Sequence, residues 1–219
     1  MIKQGLYLPE FERDNCGAGF ICNLKGEKSN KIIHDALEIL IKLEHRGAVS
    51  SDGKTGDGAG ILIDIPHEFF VKNTSFNLPE AREYAVGMTF LPKSYNQLEY
   101  CKKVLEAEIN KQGLKVLGWR KVPVNKAHLG YVASKIEPAI EQVFIGKNDK
   151  ELTEYQFNAK LFAARKISEH TIVNSKLSDR DKFYFPSFSS TTIIYKGLLM
   201  PEDIRNYYTD LSNPDVVTR

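Results

Sequence analysis

Apolar runs too dense to expose a face alternate along this chain with segments whose apolar residues return every three or four positions. Ile61-Leu62-Ile63-Asp64-Ile65 and Tyr84 to Leu91 are the clearest runs. Strands of that composition are covered on both sides. Ile32, Ile33, Ala36, Leu37, Leu40 and Leu43 form one helical stripe, and Leu98, Cys101, Val104, Leu105 and Ile109 form another. The alternation predicts a sheet, or a pair of sheets, covered by helices.

Local signals set the boundaries. Residues 16–24 read as a first strand, and Ser29 as the N-cap of the helix that follows, with Gly47 ending it. Pro66 opens a short helix through Phe69 and Phe70. Pro92 stops the strand from Tyr84, Ser94 and Gln97 have capping-box spacing, and Gly113 ends the next helix. Strands are expected at Leu114 to Val122 and Ile140 to Ile145, and a long helix from Leu152 to about Ser175. Phe183 to Phe185 and Thr191 to Tyr195 read as a strand pair, and Pro201-Glu202-Asp203 as the start of a last helix. Asn213 to Arg219 would lead into another strand, so the chain is expected to be a fragment.

The stretch richest in chemistry is Asn15-Cys16-Gly17-Ala18-Gly19-Phe20. Glycines after Cys16 let the backbone approach whatever the sulfur attacks. Residues 1–15 carry the charged run Glu10 to Asp14 and no apolar core of a secretory signal, so they read as a leader. Were the Asn15–Cys16 bond cut, Cys16 would own a thiol and a free α-amine whose pKa is near 8. One residue would then supply nucleophile and base. The bland alternative is a small buried cysteine that begins a strand.

Bulk properties exclude other classes. The charges nearly balance, 30 basic against 28 acidic residues with no basic block, so neither nucleic acid nor an anionic membrane is called for. No stretch approaches membrane-spanning length. Three cysteines and no Cys-x-x-Cys or Cys/His cluster argue for a reducing compartment without a disulfide scaffold or metal site. Gly53-Lys54-Thr55 imitates the end of a phosphate-binding loop, but that motif needs glycine where Ala48 stands. Asp57 in the same loop reads as a turn former or a site contact.

Cys16-Gly17, His45-Arg46-Gly47-Ala48 and Lys54-Thr55-Gly56-Asp57-Gly58-Ala59-Gly60 taken together resemble the amino-terminal glutamine amidotransferase domain of glutamate synthase large chains. Gly118-Trp119-Arg120, Leu161-Phe162-Ala163-Ala164-Arg165 and Thr192 to Leu198 extend the resemblance over essentially the whole chain. It implies an α+β fold, the four-layer αββα sandwich of N-terminal-nucleophile hydrolases, incomplete at the C-terminus. Residues 1–15 would be a propeptide and 16–219 the first part of the amidotransferase domain.

The resemblance also implies chemistry. Cys16 would hydrolyse L-glutamine to glutamate and ammonia through a γ-glutamyl thioester, with Arg46 beside it as an active-site cation. Without the family, Arg46 is a helix-end arginine facing solvent. The substrate clamp, an Arg-Phe-Ser segment, and an Asn-Gly oxyanion pair belong to the family, and neither occurs here. The isolated chain is therefore expected to be a poor glutaminase. No cofactor is expected within it. The parent is expected to use FMN and a 3Fe-4S cluster, to pass ammonia to 2-oxoglutarate, and to draw electrons from an NADPH-dependent small subunit or ferredoxin. It would be cytoplasmic, or plastidic if ferredoxin-dependent. Another N-terminal-nucleophile amidohydrolase and a non-catalytic assembly domain remain as alternatives.

Overall fold

The computed structural model describes residues 17–219; the leader and the Asn15–Cys16 junction lie outside them. In chain order the elements are α1 (Asn30–Lys42), β1 (Ala59–Asp64), α2 (His67–Asn73), β2 (Tyr84–Leu91), α3 (Tyr95–Lys111), β3 (Leu114–Lys121), α4 (Tyr131–Ile136), β4 (Ala139–Lys147), α5 (Glu154–Val173), β5 (Tyr184–Ser189), β6 (Thr192–Gly197) and α6 (Asp203–Tyr207). Every strand pairing is antiparallel, in two sheets ordered β1-β6 and β3-β4-β2-β5.

The pleat divides two cores. Tyr84, Val86 and Met88 of β2 and Ile140 and Phe144 of β4 meet Ile61 and Ile63 of β1 and Ile193 and Tyr195 of β6 in one buried cluster. Ala85 and Leu91 of β2 and Val143 and Ile145 of β4 join Cys101, Leu105 and Ile109 of α3 and Phe157, Leu161 and Ala164 of α5 in the other. The period of two sends alternate residues of one strand to different layers. Two antiparallel sheets thus pack together, α3 and α5 cover the outer face of the larger, and α1 lies against β1. This is the α+β sandwich the sequence implies.

Most boundaries follow local chemistry. Thr153 and Gln156 close a capping box on α5, each side chain bonding the other's backbone N–H. Gly113 ends α3 in a left-handed conformation, φ +73°, at little cost for a residue without Cβ. Ser94 caps nothing with its side chain. Gln97 instead donates to Ser178 Oγ and Asp179 Oδ2, both at 3.0 Å, and so ties the 178–182 turn to the start of α3.

Three expectations need correction. Residues 17–24 form no strand, and Phe20 and Leu24 are 91% and 98% exposed. Their backbone runs along α1, Gly19 against Ile39 and Gly17 against Leu43. A helix has spent its backbone donors and acceptors internally, so no ladder forms there. β5 and β6 are not partners: β5 pairs with β2, β6 with β1, and Ser190-Thr191 carries the chain from one sheet to the other. The helix expected to run to Gly47 ends at Lys42, and a separate 3₁₀ turn, Glu44–Arg46, comes before Gly47.

Candidate functional site

A cleft of about 810 Å³ opens where α1 ends and the glycine-rich loop enters β1. Arg46 stands at the end of a 3₁₀ turn, Glu44–Arg46, that follows α1. It is exposed, and its side chain passes Gly17: a Cβ on Gly17 would lie 3.3 Å from Arg46 Cδ and 3.2 Å from Leu43 Cβ. Any larger residue after Cys16 would press on both neighbours, which would have to give by a few tenths of an ångström. Asp57, also exposed, brings its carboxylate over Gly47. Gly17, Arg46 and Asp57 line the same cleft, so the described parts of the sequence-derived site converge.

The loop is held by its own side chains. Asp52 Oδ1 accepts the N–H of Lys54 and of Thr55, and Oδ2 accepts Thr55 Oγ1 at 2.6 Å and the N–H of Val132 at 2.8 Å. These bonds, led by the Thr55 hydroxyl, hold the Asp52 carboxyl far below the usual carboxylate range. Thr55 is buried and its hydroxyl also accepts from Ala133 N–H. Asp52 and Thr55 therefore clasp the loop to α4, and the Thr55 hydroxyl is spent there.

The opposite wall was not legible in the motifs. Glu137, Lys196, Tyr207 and Tyr208 form part of it. Glu137 Oε2 accepts from Lys93 and Lys126 Nζ at 2.8 and 3.0 Å, and Oε1 from Tyr207 Oη at 2.9 Å. Burial alone would raise its pKa, but the two lysines and the tyrosine hydroxyl together lower it. Tyr208 Oη donates to the Lys196 carbonyl at 2.7 Å. The adjacent Tyr207-Tyr208, at the end of α6, was the signal available in sequence.

Cys16 lies outside the described residues. Cys101 is fully buried on α3, and burial pushes its thiol up to about 11, which makes it inert. Cys22 is exposed. Among the described residues no group of three or more His, Cys, Asp or Glu side chains is placed to hold a metal, and no helix is long and apolar enough to cross a membrane.

Residues 16–219 match the family described as glutamine amidotransferases class-II. The chain is 44% identical over 216 residues to the large chain of glutamate synthase [NADPH] of Bacillus subtilis (strain 168), covering 98% of this chain and 14% of that protein. It is 42% identical over 223 residues to glutamate synthase [NADH] of Saccharomyces cerevisiae (strain ATCC 204508 / S288c), covering 96% of this chain and 10% of the relative. Identity to the chloroplastic ferredoxin-dependent glutamate synthase of Oryza sativa subsp. japonica is 38% over 205 residues, covering 92% and 12%. The chain thus spans between a tenth and a seventh of these relatives' lengths. With the family match beginning at Cys16 itself and running to Arg219, the chain belongs to the class-II glutamine amidotransferases.

Proposed function

We propose that this chain supplies the nucleophile-bearing part of a glutaminase within a glutamate synthase, with residues 1–15 a leader whose removal after Asn15 frees the Cys16 amine. In this reading the α-amine takes the Cys16 thiol proton, and the thiolate attacks the side-chain amide carbon of L-glutamine. The amine returns the proton to the departing nitrogen, ammonia leaves, and a γ-glutamyl thioester remains. Water then adds to the thioester, giving glutamate and restoring the thiol. Arg46 favours the thiolate and offers directional donors to the substrate. Asp57 is the weaker candidate, a carboxylate whose charge suits the substrate's ammonium.

The observation that carries this reading is the packing of Gly17 on Arg46 at the edge of a cleft that Asp57 also lines. The 36–44% identity to glutamate synthases of several electron-donor types supports a role in making glutamate. In the parent, ammonia would pass to a separate flavin domain for reaction with 2-oxoglutarate, with electrons from a small subunit or ferredoxin. In that parent, FMN and a 3Fe-4S cluster would belong to the flavin part; among the described residues no group of three or more His, Cys, Asp or Glu side chains gathers for a metal. A cytoplasmic location fits the cysteine usage, and a plastid the ferredoxin-dependent relatives.

The test uses the full-length parent. Intact-mass or N-terminal analysis of active enzyme is expected to show a chain beginning at Cys16. Cys16→Ser is expected to abolish glutamine hydrolysis, whereas Cys22→Ser and Cys101→Ser keep most of it. Full activity with Met1 still attached would overturn the mechanism.

A further inference from the structure

Behind the cleft, between the two sheets, lies a closed polar ring. Arg120 on β3 forms two parallel bonds to Asp210, Nη1 to Oδ2 and Nη2 to Oδ1, both 2.8 Å. Arg120 Nη1 also donates to Gln142 Oε1 on β4 at 2.9 Å. Gln142 Nε2 donates to Tyr195 Oη on β6 at 3.3 Å, and Tyr195 Oη donates to Asp210 Oδ2 at 3.1 Å. Gln142 and Tyr195 are wholly buried, and the side chains of Arg120 and Asp210 are 11% and 2% exposed. The guanidinium lies over Phe69, 5.2 Å from its centroid.

Such a ring is a poor device for stability alone. Desolvating an ion pair offsets most of its attraction, and apolar side chains of similar volume commonly do as well. What it supplies is direction, because each bond has one geometry. None of the four residues lines the cleft, yet three lie within two positions of residues that do. Tyr195 precedes Lys196 on β6, Asp210 follows Tyr207-Tyr208, and Gln142 shares β4 with Ile140. Tyr195 also packs edge-on against Tyr208, centroids 5.1 Å apart, and Tyr208 holds the Lys196 carbonyl. A single guanidinium on the large sheet thereby grips both segments of the far wall.

We propose that the Arg120–Gln142–Tyr195–Asp210 ring is a positioning device that holds Lys196–Met200 and Tyr207-Tyr208 in place, and so sets how a small amide substrate fits the cleft. The identity of that substrate rests on the glutaminase reading above; the mechanical role does not. Burial and the Asp210 charge raise the Tyr195 phenol well above its ordinary value, so this hydroxyl keeps the proton it donates to Asp210.

The experiment compares the full-length parent with Tyr195→Phe, which removes one hydroxyl and leaves Arg120 on Asp210. A second variant, Arg120→Met with Asp210→Leu, replaces the ion pair by apolar volume and stays folded if stability is not its main role. Hydrogen–deuterium exchange by mass spectrometry reads peptides spanning 192–200 and 203–212. Both variants are expected to exchange there about tenfold faster than wild type, with β2 and β4 peptides unchanged. The KM for glutamine is expected to rise about tenfold with kcat nearly unchanged. Unchanged exchange at the wall overturns the proposal, as does faster exchange with an unchanged KM. A wild-type parent that never consumes glutamine would sink the proposed function, while the exchange comparison would still decide the ring.

Discussion

Glu137 shows how one residue can shape both a wall and a pH response. Its carboxylate is nearly buried and takes three donors, from Lys93, Lys126 and Tyr207. Its pKa in the folded chain lies below the unfolded value near 4.3, so its charge favours folding above that pH. The contribution is lost as pH falls from the unfolded value through the folded one. Glu137→Gln is expected to lower the thermal midpoint at neutral pH and to flatten its decline on acidification, measured by calorimetry between pH 3 and 7. An unchanged acid limb would remove this carboxylate from the account. Asp52, held low by the Thr55 hydroxyl and by the N–H groups of Val132, Thr55 and Lys54, behaves as a clasp between the glycine-rich loop and α4.

Among the elements, α5 carries the strongest local instructions. Thr153 accepts the Gln156 N–H and Gln156 returns to the Thr153 N–H, at 3.2 and 3.0 Å. Thr153→Ala is expected to cost about 1 kcal/mol by denaturant titration. That a long helix begins here was visible in outline from apolar spacing, which acts within one or two turns; the Thr153–Gln156 box was not. The capping-box spacing of Ser94 and Gln97 was visible, but Gln97 had a better use across space, bonding residues 178 and 179. The segment after Cys16 failed as a strand for a similar reason. Apolar alternation creates a strand only beside an unpaired backbone, and α1 offers none.

For the whole molecule, stability rests on the contact between sheets. Phe144 of β4 meets Phe70 edge-on at 5.0 Å and Phe76 at 5.2 Å, inside the cluster that joins both sheets. Phe144→Ala is expected to cost about 3–5 kcal/mol, enough to leave a marginal domain largely unfolded at 37 °C. Calorimetry of the full-length protein checks it, and a loss under about 1 kcal/mol would mean the inter-sheet core closes around the gap.

The amino-acid sequence by itself determined most elements, the motifs at Arg46 and Asp57, and the burial of Cys101. Each depends on side chains a few positions apart, where helical or strand period and turn chemistry act directly. Only the tertiary structure decided that β5 and β6 part into different sheets, that Gly17 rests on Arg46, and that Arg120 closes a ring with Gln142, Tyr195 and Asp210. Those partners lie far apart along the chain, and their meeting is a property of how two sheets stack, which no local pattern encodes.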